Sequence, residues 1–342
     1  MTRALVARLD NDGDVLLAGP AIRAIAAGCD HVTLLCGPRG AQAAALLPGV
    51  DEVVVRRAEW IDPEAPVVDR AEIDNHISLL TARHADVAAI LTSFHQSPLP
   101  LALLLRMAGV PRIAAISEDF PGSLLDHRLP DPGDVPEAER GLAIAATLGF
   151  VLPAGDDGAL RVLAEPAPCS LPRRYVVVHP GASVPARAWA PERHAELVER
   201  LVVNGRDVVV TGAPSERTLT AAVAGRGAVD LGGATTLGQL AGVLAGADAV
   251  VVGNTGPAHL AAAVGTPVLS LFAPTVPVAR WRPYGVAHEL LHRPVPCAGC
   301  RARDCPVPGH PCLGDVPVGA VLLALARLEA RTRTLPARAV VA

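Results

Sequence analysis

The chain has 342 residues, 51% of them hydrophobic and only 3% aromatic, with a formal charge of −4 and no lysine among its thirty basic residues. That length exceeds the ~250–300 residues at which one core stops growing, so two domains are expected, and the mild acidity excludes a nucleic-acid binder, which carries a basic stripe. No apolar run reaches the ~18–20 residues of a membrane span, and Arg3, Arg8, Asp10 and Asp12 interrupt the stretch a secretory signal would need, so the expectation is a cytoplasmic protein, with peripheral membrane contact and oligomeric state left open.

In chain order, Ala4-Leu5-Val6-Ala7-Arg8-Leu9 reads as a buried strand and Asp10 to Gly13 as a polar turn. Val15, Leu16, Ile22 and Ile25 then give the apolar positions of one amphipathic helix. The pattern repeats with strands at 31–35, 53–55, 86–91 and 112–116. Helical stretches run to residue 47, near 70–83, near 97–108 and over 134–148. Such nearly continuous apolar strands mark a parallel sheet covered by helices on both faces. Residues 151–173 carry four prolines and little periodicity, which marks a linker. A second series follows, with strands at 175–178, 208–211, 228–231, 249–252 and 267–271. Its helices fall near 191–203, 214–224, 236–246 and 256–264, and 316–328 reads as a closing amphipathic helix. The expected class is α/β: one Rossmann-like domain over 1–155 and another over 170–342. Two such doubly wound domains would face each other across a cleft and bind ligands at the carboxyl ends of their strands.

The sequence has no G-x-x-x-x-G-K-[ST], no G-x-G-x-x-G after the first strand, no G-x-S-x-G and no H-E-x-x-H. Other segments carry the chemistry. Val250-Val251-Val252-Gly253-Asn254-Thr255-Gly256-Pro257-Ala258-His259 runs a strand into a polar turn and a helix, with Pro257 near the first helical position. The N–H groups and dipole of such a helix start suit a phosphate or diphosphate, although the same residues also suffice merely to begin a helix. His179-Pro180-Gly181-Ala182-Ser183, followed by Arg187 and Trp189, again sits directly after a strand. Arg187 there is either a fork for phosphate oxygens or a solvated loop residue. In Thr211-Gly212-Ala213-Pro214-Ser215-Glu216, the acid either reaches ribose hydroxyls or simply favours a first helical turn. Asp14 is either a general base or an N-cap, and Asp10 and Asp12 compete with it for any ligand-facing role. His95, within Thr92 to Ser97, and Asp119 lie at further strand ends and could meet an acceptor.

Taken together, Arg8-Leu9-Asp10-x-x-Gly13-Asp14-Val15, HPGAS with Arg187 and Trp189, TGAPSE, and NTGPAHLAAAVGTPV followed by Leu271-Phe272-Ala273-Pro274 resemble glycosyltransferase family nine. This is the lipopolysaccharide-type heptosyltransferase family, which has the GT-B architecture. The matches keep their order and spacing to about residue 313. The resemblance implies an inverting transferase that moves a sugar from a nucleoside diphosphate to a hydroxyl of a glycolipid, glycan or small natural product. ADP-heptose is the implied donor. Asp14 aligns with the family's general base, and Asp10 and Gly13 lie with it on the acceptor side. Ser183, Arg187, Glu216, Asn254, Thr255, Gly256, Pro257 and His259 fall in the donor-binding segments. No metal is implied for the chemistry, because backbone donors and an arginine can stabilise the departing diphosphate. Three positions depart from the pattern: Asn254 and Val276 stand where Asp is common, and Arg187 where Lys is. Heptose itself is therefore implied less tightly than glycosyl transfer.

Cys297, Cys300, Cys305 and Cys312, with His310, crowd into a Pro- and Gly-rich loop over 297–312. Four thiolates can enclose a tetrahedral zinc or iron ion, but the spacing is not that of paired CxxC knuckles, and free thiols or disulfides are the other readings. Cys29, Cys36 and Cys169 read as ordinary small residues. Two further functions compatible with the motifs are a sugar-nucleotide epimerase or hydrolase of the same architecture, and a binding protein that has lost turnover.

Overall fold

A computed structural model describes residues 1–62 and 64–332. The end of the second expected domain, 333–342, lies outside the described residues. The chain forms two compact units, the first Met1–Arg161 and the second beginning at Val162.

The first unit is built on strands β1 (Arg3–Arg8), β2 (His31–Cys36), β3 (Glu52–Val55), β4 (Val87–Ile90), β5 (Arg112–Ile116) and β6 (His127–Leu129). All pair in parallel, in the order β3-β2-β1-β4-β5-β6. The chain winds outward from β1 through β2 to β3, then returns to β4 on the other side. β1 and β4 thus flank the topological switch point, where a doubly wound sheet opens a crevice at its carboxyl edge. Leu5, Ala7, Leu35, Ala88, Ile90, Ile113 and Ala115 bury one face of this sheet against Leu101, Leu104 and Leu105 of the helix Leu99–Met107.

The second unit repeats the plan with β7 (Val176–His179), β8 (Val208–Gly212), β9 (Val229–Gly232), β10 (Ala249–Gly253), β11 (Val268–Leu271) and β12 (His288–Leu291). The order is β12-β11-β10-β7-β8-β9, again all parallel, so the switch point lies between β7 and β10. The valine runs of β7, β8 and β10 suit strands buried on both faces. The helix Pro191–Val203 places His194, Leu197, Val198 and Leu201 on its buried stripe at helical spacing.

Several elements differ from the sequence reading. The helix expected after β1 is two helices, Asp12–Leu17 and Gly19–Ala26. Pro20 has no N–H to continue the first ladder and is tolerated only in a new first turn. The short strands β6 and β12 were not expected. Their sequences, HRL and HELL, carry polar and charged residues because each lies at a sheet edge. The linker expected at 151–173 has no regular secondary structure, and the boundary between the units falls within it.

Candidate active site

In the first unit the site is organised by the last residue of β1. Arg8 is 4% exposed, at the end of an otherwise apolar strand. Its Nε lies 2.9 Å from Asp10 Oδ2, its Nη2 2.9 Å from Asp14 Oδ1, and its Nη1 3.4 Å from Glu137 Oε2. Nη2 also donates to Ser93 Oγ at 2.9 Å. Burial opposes the Arg8 charge, but Asp10, Asp14 and Glu137 outweigh it and hold its pKa above the usual arginine range. For Asp10, burial and the neighbouring Asp14 raise the carboxyl pKa against the pull of Arg8. Gln96 donates to Asp10 through Nε2 and accepts from the Ser93 N–H at 3.0 Å, which ties the β4 loop to the cluster.

The helix Asp12–Leu17 decides which acid does what. Asn11 is its N-cap, accepting from the Gly13 N–H, so Asp14 is not the cap but a residue of the first turn. Asp12 accepts from the Ala43 N–H at 3.0 Å and braces the neighbouring helix. Asp14 lies beside Arg8 and lines a small cavity with Leu17, Leu91, Thr92, Glu137 and Arg140. His95 and Asp119 do not join this charged cluster. They line a separate, larger cavity at the ends of β4 and β5.

In the second unit the loops after β7, β8, β10 and β11 interlock. His179 Nδ1 lies 2.9 Å from Thr211 Oγ1, and burial pulls the His179 pKa down to about 4, so the ring is neutral. The Glu216 carboxylate accepts from the Ala213 N–H at 2.8 Å and packs over Gly181, where any Cβ would overlap it. HPGAS and TGAPSE thus form one structure. Gly253 lets the Arg187 carbonyl approach β10, since a Cβ there would stand 3.1 Å from that oxygen. Trp189, 2% exposed, anchors the segment by donating to the Val316 carbonyl at 3.2 Å.

The helix Gly256–Ala263 starts at the β10 end, with Thr255 at its N-cap position but making no side-chain cap bond. Asn254 Nδ2 donates to the Ala273 carbonyl at 3.2 Å, and the Thr275 N–H donates to the same oxygen at 2.8 Å. Asn254 Oδ1, Thr255 Oγ1 and Thr275 Oγ1 are buried without a hydrogen-bond partner among the described residues. Unsatisfied buried oxygens are rare in folded proteins, and three of them lie on the loops that follow β10 and β11. His259 is buried in the same helix, Gly256 and Pro257 are half-buried, and Ser183 is exposed on its loop.

The cysteine loop is pinned to this neighbourhood by backbone hydrogen bonds. Gly299 and Arg301 donate to the carbonyls of Pro274 and Thr275, and Ala186 donates to that of Arg303. Cys297, Cys300, Cys305 and Cys312 line one cavity of about 30 Å³, yet all are free thiols. Among the described residues no three His, Cys, Asp or Glu side chains are arranged to hold a metal ion, so of the three readings the metal one gains no support. Burial and the neighbouring thiols of Cys305, Cys297 and Cys300 raise the Cys312 pKa.

The sequence assigns Arg8 no site role beyond its place in a motif and gives no sign of Glu137, Arg140 or Thr275. A lone arginine closing an apolar strand is a signal the sequence does offer. Glu137 and Thr275 reach their sites only through tertiary contacts.

Two parallel six-stranded sheets, each doubly wound about its own switch point, define the GT-B class. The chain belongs to glycosyltransferase family 9 (heptosyltransferase), whose profile matches residues 102–310. It is similar to lipopolysaccharide heptosyltransferase 1 of Pseudomonas aeruginosa, 37% identical over 169 residues. That stretch is 47% of this chain and 46% of the relative, so the chain spans less than half the length of the curated relatives it matches. Among solved structures, Escherichia coli heptosyltransferase WaaC with ADP-2-deoxy-2-fluoro heptose superposes with a TM-score of 0.73 at 21% identity, covering 95% of this chain and 99% of that one. The iron-containing dodecameric glycosyltransferase TibC of enterotoxigenic E. coli gives 0.59 at 15% identity, covering 97% and 77%. Among the described residues, no helix is long and apolar enough to cross a membrane.

Proposed function

We propose that the chain is an inverting glycosyltransferase that moves a sugar, heptose from ADP-heptose in the first instance, to a hydroxyl acceptor. The observation that carries this reading is the buried Arg8–Asp14 pair at the first switch point, in a chain of this family. Asp14 is the general base. It takes the proton of the acceptor hydroxyl as that oxygen forms its bond to the anomeric carbon. The bond from that carbon to the diphosphate oxygen breaks, and the nucleoside diphosphate leaves with the electron pair. Arg8 is a positioning residue that fixes the Asp14 carboxylate.

On the donor side, Arg187 and the start of the helix Gly256–Ala263 stabilise the charge growing on the diphosphate. Glu216 meets the ribose, with Ser183, Asn254, Thr255 and His259 around the donor. Family membership favours transfer over the epimerase, hydrolase and binding-protein readings. The cysteine loop we read as a brace of the donor segments. Metal analysis of the purified chain separates an iron- or zinc-bound loop from free thiols. The relation to TibC motivates the iron arm, and no step of the reaction passes through such an ion.

The test is Asp14→Asn. Turnover is expected to fall by about 10²–10⁴, while ADP affinity measured by calorimetry stays near that of the parent chain. Near-normal release of nucleoside diphosphate by that variant in the presence of acceptor sinks the assignment.

A further inference from the structure

The first unit holds a cavity of about 250 Å³ at the carboxyl ends of β4 and β5. Two neighbouring cavities hold only about 10 Å³ each. The larger volume lies close to the lower end of the ~300–1,000 Å³ usual for small-molecule pockets. Arg140 lines both this cavity and the small one that reaches Asp14, so the space opens beside the candidate base.

The cavity is built in advance of any ligand. Ser93, Ser117 and Arg140 are 3–4% exposed, and each is already held. Ser93 is bonded to Arg8, Ser117 donates to the Asp119 carbonyl at 3.0 Å, and Arg140 is paired with Asp131 and Glu137. Beside these polar groups stand Phe94 and His95, edge to face at 5.3 Å, a platform for the CH face of a sugar ring. Most of the residues that line the cavity are polar.

Charge decides the class of occupant. Among the described residues, three carboxylates, Glu118, Asp119 and Asp131, line the space with one guanidinium, Arg140, and the His95 ring. That guanidinium is already shared between Asp131 and Glu137. Glu118 and Asp119 are exposed and make no ion pair among the described residues. Nearby Arg128 directs its donors to the Ser117 and Glu118 carbonyls rather than to the carboxylates, and is not part of the wall. An acceptor bearing phosphate or carboxylate would meet like charge at Glu118 and Asp119, and Arg140, the one arginine lining the cavity among the described residues, is already paired. An ammonium would gain charge-assisted hydrogen bonds. We propose that this cavity binds a polyhydroxylated acceptor carrying amino groups, an aminosugar or aminocyclitol, and presents one of its hydroxyls to Asp14. The proposal rests on the transfer reading above, which it deepens.

The test measures binding, not turnover. The full chain is titrated by calorimetry and saturation-transfer NMR with 2-deoxystreptamine, myo-inositol and glucose 6-phosphate. The expected order is 2-deoxystreptamine first, by about tenfold over myo-inositol, as suits two partly solvated charge contacts, with glucose 6-phosphate weakest. Added salt narrows the gap by screening. In the double variant Glu118→Gln, Asp119→Asn, both exposed positions, the amine preference disappears while myo-inositol binding stays. The proposal falls if glucose 6-phosphate binds best, if 2-deoxystreptamine shows no advantage or no binding, or if its advantage survives the double variant. ADP titrated into the same samples reports the second unit separately. Retained ADP binding with a failed amine preference overturns only the acceptor class, whereas absent ADP binding overturns the transferase reading itself.

Discussion

Arg8 holds three carboxylates that would otherwise repel one another in a space almost closed to water. Each acid is held by more than Coulomb attraction: Asp10 also accepts from Gln96, Asp14 is fixed in a helix turn, and Glu137 is shared with Arg140. Removing a shared counter-ion strands the remaining charges, which is costlier than the pair itself is stabilising. Arg8→Ala is accordingly expected to destabilise the chain by about 3–5 kcal/mol, read as a lower urea midpoint. Arg8→Lys keeps the charge but cannot reach Asp10, Asp14 and Glu137 at once, since its single ammonium replaces a fork. Its stability is expected to lie between parent and Ala. Equal stability of Ala and parent would show that the cluster is not the keystone described.

At the scale of elements, the donor side depends on close contact between two loops. Gly181 after β7 has no Cβ, and the Glu216 carboxylate after β8 occupies that space. Gly181→Ala is expected to cost about 1–3 kcal/mol as an overpacked contact, with most of the loss recovered in the Glu216→Ala background. A double-mutant cycle in urea gives the coupling directly, and a coupling near zero would separate the loops. This contact also shows what the sequence could disclose. HPGAS and TGAPSE were each visible as strand-end motifs, because valine runs and turn residues announce where a buried parallel strand stops. That the two motifs form one structure was not visible, since it depends on a pairing between β7 and β8 that no local pattern encodes. The same reason hid Glu137, whose helix carries an ordinary amphipathic pattern, and the edge strands β6 and β12, whose polar residues mask the apolar signal. Pro20 did announce the break between the first two helices, and only the reading of one continuous apolar stripe concealed it.

At the scale of the molecule, each unit has its own core, and that of the second ties its stability to pH. The second unit buries His179 and His194 as neutral rings. Burial pulls His179 down to about 4 and, with the added charge of His179, His194 down to about 3. In the unfolded chain both return to the ordinary value near 6.5. Below that pH the unfolded state therefore binds more protons than the folded one. The stability these rings contribute is whole above about pH 6.5 and is lost as the pH falls toward 4. The slope is about 1.4 kcal/mol per pH unit for each histidine. Trp189 packs edge-on against His194 at 4.9 Å, so its fluorescence reports unfolding of this unit. A midpoint that is flat between pH 6.5 and 4.5 would contradict the buried neutral state.

The Asn254 amide limits what its position can accept. Its NH₂ group is committed to the Ala273 carbonyl, an oxygen that accepts but cannot donate. Asn254→Asp would set two electron-rich oxygens against each other at a residue only 6% exposed. The Thr275 N–H, bonded to that same carbonyl, offers the intruder nothing. Asn254→Asp is thus expected to need a shift of the 273–275 backbone.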